Sequence, residues 1–217
     1  MDFKYLLFDL DGTLTDPFEG ITKCVQYALA SCGIEVNDLN KLKIFIGPPL
    51  IPAFMEYYGL SREKAEYALK KYRERFSTIG IFENRLFDGI PSLLSELREA
   101  GYKLCLATSK PELYASQILE HFDISKYFDL VCGATLDETR SEKWEIIEEI
   151  IRQLNLKNKK SETIMIGDRM HDIIGAKKCG IKSLGIYTGY AEKNELENAH
   201  ADFICNSLSD LRNFLLK

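Results

Sequence analysis

Three features of the sequence predict an α/β fold, with a Rossmann-like parallel sheet interrupted by an inserted all-helical segment. Six short apolar runs have the length of strands, and several lack polar alternation, as buried parallel strands do. From about residue 83 onward these runs alternate with helical patterns, an order that builds a parallel sheet covered by helices on both faces. The first two runs are separated by about ninety residues of mostly helical pattern, too many for one crossover. Residues 1–15 and 83–217 are therefore expected to form the α/β unit, and residues 16–82 the helical insert.

The elements follow in order. Tyr5 to Phe8 is the first strand. Ile21, Val25, Leu29 and Cys32 recur at helical spacing and stop at Gly33, giving the first helix of the insert. Ile46-Gly47-Pro48-Pro49-Leu50 is a rigid loop. A second insert helix starts near Ser61 and carries Ala65, Leu69, Tyr72 and Phe76, with Tyr57, Tyr58, Tyr67 and Tyr72 read as core aromatics. The α/β unit resumes at Phe87-Asp88-Gly89. Pro91 and Gly101 then bracket a helix with Leu93, Leu94, Leu97 and Ala100, ahead of a strand from Lys103 to Ala107. Asp129 to Cys132 is the third strand, and Ser141 precedes a helix with Trp144, Ile147, Ile151 and Leu154. Thr163 to Ile166, a helix ending at Gly180, Ser183 to Tyr187 and Asp202 to Cys205 complete the pattern.

Composition excludes several classes. At 46% hydrophobic and 28% charged residues, the 217-residue chain is neither disordered nor low in complexity. A formal charge of −5 argues against a nucleic-acid polymer as partner. Six scattered cysteines contain no C-x-x-C pair and read as reduced core residues. No apolar run reaches the ~20 residues of a membrane span, and Met1 to Asp9 is too short and acidic for a signal peptide. A cytoplasmic monomer or weak homodimer without membrane contact is the expectation.

Ligands of an open parallel sheet bind beyond the carboxyl ends of its strands, and here those ends are polar. The first strand is followed by Asp9-Leu10-Asp11-Gly12-Thr13-Leu14, the second by Thr108-Ser109-Lys110, and the fourth by Gly167-Asp168-Arg169-Met170-His171-Asp172. Carboxylates brought to one rim repel unless a cation sits among them. Magnesium is the fitting ion, taking one or two carboxylates such as Asp9 and Asp168 together with a substrate phosphate. Of Asp9 and Asp11, one can attack phosphorus as a nucleophile while the other works as general acid and then base. Gly12 permits the turn that brings backbone amides toward phosphoryl oxygens.

The Asp9-Leu10-Asp11-Gly12-Thr13-Leu14 segment resembles the first motif of the haloacid dehalogenase superfamily of phosphohydrolases. Thr108 is similar to the second-motif hydroxyl, Lys143 to the third-motif lysine, and Gly167 to Asp172 to the acidic fourth motif. The resemblance implies Asp9 as nucleophile and Asp11 as general acid/base. It also implies Asp9, the Leu10 carbonyl and Asp168 as magnesium ligands, with Thr108, Ser109 and Lys143 holding the phosphoryl group. The insert is similar to the small helical cap of the phosphoglycolate-phosphatase-like branch. Phe45 to Leu50, Leu106 to Glu112 and Thr135 to Lys143 resemble the bacterial 5′-nucleotidase group within it. Trp144 stands where many relatives have proline after the motif-three lysine, and Lys110 is a competing phosphoryl-binding lysine.

Asp172 is expected to support the site through water or Lys143, and His171 to lie at the rim. Arg140, Lys23, Gly47 and Pro48 are candidates for substrate recognition. The resemblance thus implies a magnesium-dependent phosphatase acting on a small phosphorylated metabolite, a nucleoside 5′-monophosphate first. Alternatives are a phosphoglycolate or sugar-phosphate phosphatase, a phosphomutase, or a phosphoacceptor signalling module without turnover.

Overall fold

The computed structural model describes residues 3–137 and 139–216. Met1, Asp2 and Lys217 at the ends of the expected α/β unit, and Glu138 within the 135–143 segment, lie outside the described residues. The chain divides into two compact units, residues 1–15 with 86–217 and residues 16–85.

The first unit is built on six parallel strands: β1 (Tyr5–Phe8), β4 (Lys103–Pro111), β5 (Leu130–Ala134), β6 (Thr163–Gly167), β7 (Lys182–Ile186) and β8 (Phe203–Cys205), in the order β5-β4-β1-β6-β7-β8. All six expected strands are present. Alternate residues of a strand face opposite sides of the sheet, and here both sets are buried, Leu6 and Phe8 on one side and Leu7 on the other. Around Leu7 pack Cys105, Ala107 and Met165 from neighbouring strands. Ile146, Ile147, Ile150 and Ile151 of α6 (Lys143–Gln153) and Ala176 and Cys179 of α7 (Met170–Cys179) cover them. The other helices of the unit are α4 (Ile90–Glu99), α5 (Glu112–His121), α8 (Glu195–Asn198) and α9 (Leu208–Leu215).

β1 lies between β4 and β6, so the chain turns to opposite sides of the sheet from this strand. Such a switch point opens a crevice at the strand's carboxyl end. β4 runs four residues past the expected Ala107, and its pairing with β5 shifts register between Thr108 and Pro111. That irregularity carries Thr108, Ser109 and Lys110 across the sheet edge.

The second unit contains α1 (Phe18–Ser31), a 3-10 segment at Leu39–Phe45, α2 (Leu50–Tyr58), α3 (Arg62–Arg75) and a π-helical turn at Phe76–Gly80. Ser61 caps α3 by accepting from the Lys64 amide (3.3 Å). Two short strands, β2 (Thr15–Asp16) and β3 (Arg85–Leu86), pair where the chain passes between the units. The aromatic expectation needs correction: Tyr72 is buried and stacks on Phe76, but Tyr57 and Tyr67 are exposed. Tyr67 falls outside the buried stripe of α3, made by Ala65, Ala68, Leu69 and Tyr72, whereas Tyr57, in the last turn of α2, meets Phe45 edge-on (5.7 Å between ring centroids) but stays exposed. Among the described residues no helix is long and apolar enough to cross a membrane.

Candidate active site

Asp9 follows β1 directly, and its amide donates to the Ile166 carbonyl (2.9 Å), which keeps its backbone in register with β6. The chain then folds on itself, with the Leu14 and Thr15 amides donating to the Leu10 carbonyl (2.9 and 3.0 Å). Those bonds fill the lone pairs of that carbonyl, so Leu10 is not available as the metal ligand the sequence suggested. Its side chain is buried, leaving Asp9 and Asp11 to face the crevice. Gly12 has φ +86°, and a Cβ there would lie 2.2 Å from Asp168 Oδ2. This position needs glycine for both reasons.

Every buried charged side chain among the described residues belongs to this one cluster: Asp9, Asp11, Lys110, Lys143, Asp168 and Asp172. Lys143, the first residue of α6, places its ammonium 2.8 Å from Asp9 Oδ1 and 2.8 Å from Asp172 Oδ1, and donates to the Ala107 carbonyl (2.9 Å). Lys110 lies 2.9 Å from Asp11 Oδ2. The two lysines of β4 and α6 are therefore both in the site and serve different carboxylates. Thr108 is buried, its Oγ1 accepting from the Lys110 amide (3.2 Å), and Ser109 beside it is half-buried.

Asp168, at the end of β6, is clasped from several sides. Thr13 Oγ1 donates to Oδ1 (3.3 Å) and the Tyr190 amide to Oδ2 (2.7 Å). Gly189 lies against the same carboxylate, where a Cβ would come within 2.2 Å of Oδ2. Asp172, in the first turn of α7, accepts from the Arg169 amide through Oδ2 (3.1 Å). Gly167 leaves room for it, since a Cβ there would lie 2.1 Å from that oxygen.

Burial raises the Asp11 carboxyl, against the pull of Lys110. Asp168 is held well above the ordinary carboxylate range by burial and then by Asp172 and Asp9. Burial pushes Asp172 up to about 6 although Lys143 opposes it. For Lys143 burial works against the charge, but Asp172 and Asp9 win and raise it above the usual lysine range. The half-buried His171 is shifted down by burial, then by Arg169 and Lys143, which favours neutral imidazole.

These residues fit a hard cation. Asp9, Asp168 and Asp172 each bring one carboxylate oxygen to within 4.8 Å of the others. Oδ1 of Asp11 is buried and hydrogen-bonded to nothing among the described residues, and Oδ1 of Asp9 and of Asp172 have only their ion contacts with Lys143. Buried carboxylate oxygens such as these are the hard donors that magnesium or calcium takes.

The Arg140 guanidinium donates to the Gly133 carbonyl (2.9 Å) and lies 3.4 Å from Glu112, bracing the end of β5. Lys23 pairs with Glu19 and Glu83 inside the helical unit, where Gly47 and Pro48 form a half-buried loop. Thr188, Gly189 and Tyr190 belong to the site and carry no motif of their own, and Thr13 stands in the first motif with no role assigned to it from sequence. A glycine and a threonine in the polar stretch directly after β7, a further strand end on the same rim, were the available signal.

A family profile described as haloacid dehalogenase-like hydrolase matches residues 6–186. A Pseudomonas aeruginosa protein named 5′-nucleotidase is 45% identical over 98% of this chain and 96% of its own. The Mycobacterium tuberculosis Tyrosine-protein kinase PtkA is 35% identical over 98% of this chain and 72% of its own. A crystal structure described as a predicted phosphatase from Clostridium acetobutylicum superposes with a TM-score of 0.96 at 46% identity, covering 100% of this chain and 99% of that one.

Proposed function

The chain belongs to the haloacid dehalogenase-like hydrolases, and from that premise we propose a magnesium-dependent phosphatase, cytoplasmic, that hydrolyses small phosphomonoesters through an aspartyl phosphate on Asp9. The observation that carries it is the Lys143 ammonium touching both Asp9 and Asp172 beside Asp168. That contact supports Asp9 as nucleophile, Lys143 as the cation for the phosphoryl oxygens and Asp168 with Asp172 as a further acidic pair.

Asp9 and Asp168 would hold magnesium, which when bound neutralises and polarises the phosphoryl oxygens. A carboxylate oxygen of Asp9 attacks phosphorus, the bond to the leaving oxygen breaks, and protonated Asp11 gives that oxygen its proton. The raised Asp11 carboxyl suits a proton donor. Asp11, now a carboxylate, takes a proton from water as the water oxygen attacks phosphorus. The bond from phosphorus to Asp9 breaks, releasing inorganic phosphate and restoring both aspartates. Lys143 and Thr108 steady the phosphoryl oxygens, with Ser109 beside them.

Nucleoside 5′-monophosphates are the favoured substrates, supported by the 45% identity to a protein named 5′-nucleotidase. Substrate choice is assigned to the helical unit of residues 16–85, including Lys23 and the Gly47-Pro48 loop. Purified protein with magnesium should hydrolyse p-nitrophenyl phosphate and show its highest kcat/KM on nucleoside 5′-monophosphates; Asp9→Asn should abolish turnover. Flat, weak activity on nucleotides, phosphoglycolate and sugar phosphates alike would sink the nucleotide assignment. Stoichiometric phosphorylation without turnover would replace the hydrolase by a phosphoacceptor module.

A further inference from the structure

The segment between β7 and α8 converges on Asp168. Thr188 Oγ1 donates to the Gly12 carbonyl (3.2 Å), Gly189 fills the narrow space against the Asp168 carboxylate, and the Tyr190 amide donates to Asp168 Oδ2 (2.7 Å). The close approach is strict, because a Cβ on Gly189 would also lie 2.3 Å from the Gly12 carbonyl oxygen. Asp168 is thus held between two loops, by the Thr13 hydroxyl from the one after β1 and by the Tyr190 amide from the one after β7.

The second of those loops is tied down by one side chain at its far end. Glu195 Oε1 accepts from Arg169 Nε (2.8 Å) and from the Met170 amide (2.8 Å), and Oε2 accepts from the Glu192 amide (2.9 Å). Arg169 and Met170 immediately follow Asp168, whereas Glu192 belongs to the loop. One carboxylate therefore joins the turn that carries Asp168 to the loop that orients it. The pair is largely withdrawn from solvent, with side-chain exposures of 13% for Arg169 and 8% for Glu195. Charge-assisted bonds in such a setting are stronger than exposed ones.

We propose that Glu195 is a positioning residue for the cation site: it latches the 188–192 loop to the Asp168-Arg169-Met170 turn and so fixes Asp168 as a ligand. The inference rests on the reading of Asp168 as a magnesium ligand. Glu195 touches neither the reacting atoms nor the three carboxylate oxygens that converge, and it acts through Tyr190, Gly189 and Arg169. Partners that orient a ligand commonly change metal affinity 10- to 100-fold when removed.

Titration calorimetry with Mn2+ on the wild type, Glu195→Ala and Glu195→Gln is the test, each variant first shown to melt cooperatively. Glu195→Ala should bind about 10-fold more weakly, and Glu195→Gln should fall between, since its carbonyl can still accept from the Met170 amide. In the metal-free protein the Tyr190 amide should exchange faster in Glu195→Ala, a change that a distant structural role would not produce. Turnover should be lost mainly at low magnesium and regained as magnesium rises. Wild-type Mn2+ affinity in the variants would overturn the inference alone, and if the alanine variant does not fold, the glutamine variant decides. A wild type that binds no Mn2+ would overturn the magnesium reading and this inference together.

Discussion

Replacing Lys143 by methionine removes the cation between Asp9 and Asp172 while keeping most of the side-chain volume. The ammonium is 2.8 Å from each carboxylate, and the lysine side chain is only 4% exposed, so solvent cannot take its place. Breaking a buried ion pair by deleting one partner costs about 3–5 kcal/mol, because the other charge stays buried. At roughly 2–4 °C per kcal/mol for a chain of this length, the loss in melting temperature is about 6–20 °C. The measurement belongs in EDTA, where no divalent ion can substitute for the lysine. Its pH dependence has a definite sign. Asp172, held at about 6 in the folded chain, lies above the unfolded carboxylate value of about 3.9. Its ionisation therefore costs stability fully above the folded value, and the cost fades as pH falls toward the unfolded one. Without Lys143 the folded value rises further, so the deficit should be large near pH 8 and shrink toward pH 5. Activity with magnesium should fall about 10²–10³-fold. A variant that melts with the wild type at the higher pH, or whose deficit is equally large at the lower one, would refute the assignment of Lys143 as the shared counter-ion.

Gly189→Ala should weaken Mn2+ binding by about 10-fold in calorimetry, because its Cβ meets Asp168 and the Gly12 carbonyl, both fixed; unchanged affinity would show that the loop yields freely. Asp168→Asn should raise the melting temperature of the metal-free protein, by on the order of 1 kcal/mol in stability, since it removes a carboxylate crowded by Asp172 and Asp9. The same variant should lose the rise in melting temperature that magnesium gives the wild type. Among the cysteines, burial pushes Cys105 and Cys179 up to about 12 and Cys132 up to about 11, whereas Cys32 is only half-buried. A thiol reagent should accordingly label one cysteine quickly in the native chain and six after denaturation, with mass spectrometry placing the fast site at Cys32.

The sheet was legible because its strands are continuous apolar runs, and a parallel strand buried on both faces has no other sequence form. Asp9, Asp11 and Asp168 stand out because they fall within three residues of the end of such a run, and Asp172 because it lies four residues beyond Asp168. Less local features were hidden. α2 begins at Leu50 and contains Pro52, so its first turn reads as a continuation of the Gly47-Pro48-Pro49 loop, although proline is tolerated there. The helical unit extends to Arg85, beyond the residue 82 expected, because β3 (Arg85–Leu86) pairs back on β2 (Thr15–Asp16), and a two-residue strand has no periodicity to read. The contact of Lys110 with Asp11 depends on the register shift near the end of β4, which no spacing rule foretells. The Leu10 carbonyl went astray for a similar reason: its direction is set by the turn closed through Leu14 and Thr15, not by its neighbours in sequence.

Lys110 and Lys143, the two candidate phosphoryl-binding lysines, meet different carboxylates. Four buried carboxyl groups stand against two buried ammoniums, more acid groups than the lysines can pair with. Lys143 is shared by Asp9 and Asp172, and on the proposed reading it stands where phosphoryl charge arrives. Lys110 meets Asp11, the residue to which the proton transfers are assigned. Deleting either lysine would leave a buried carboxylate without its counter-ion, at a cost of several kcal/mol. Asp9, Asp168 and Asp172 each bring one oxygen within 4.8 Å of the others, a donor set that suits a divalent ion. On the proposed reading, an acidic chain admits a dianionic phosphate because its buried acidity holds a cation first.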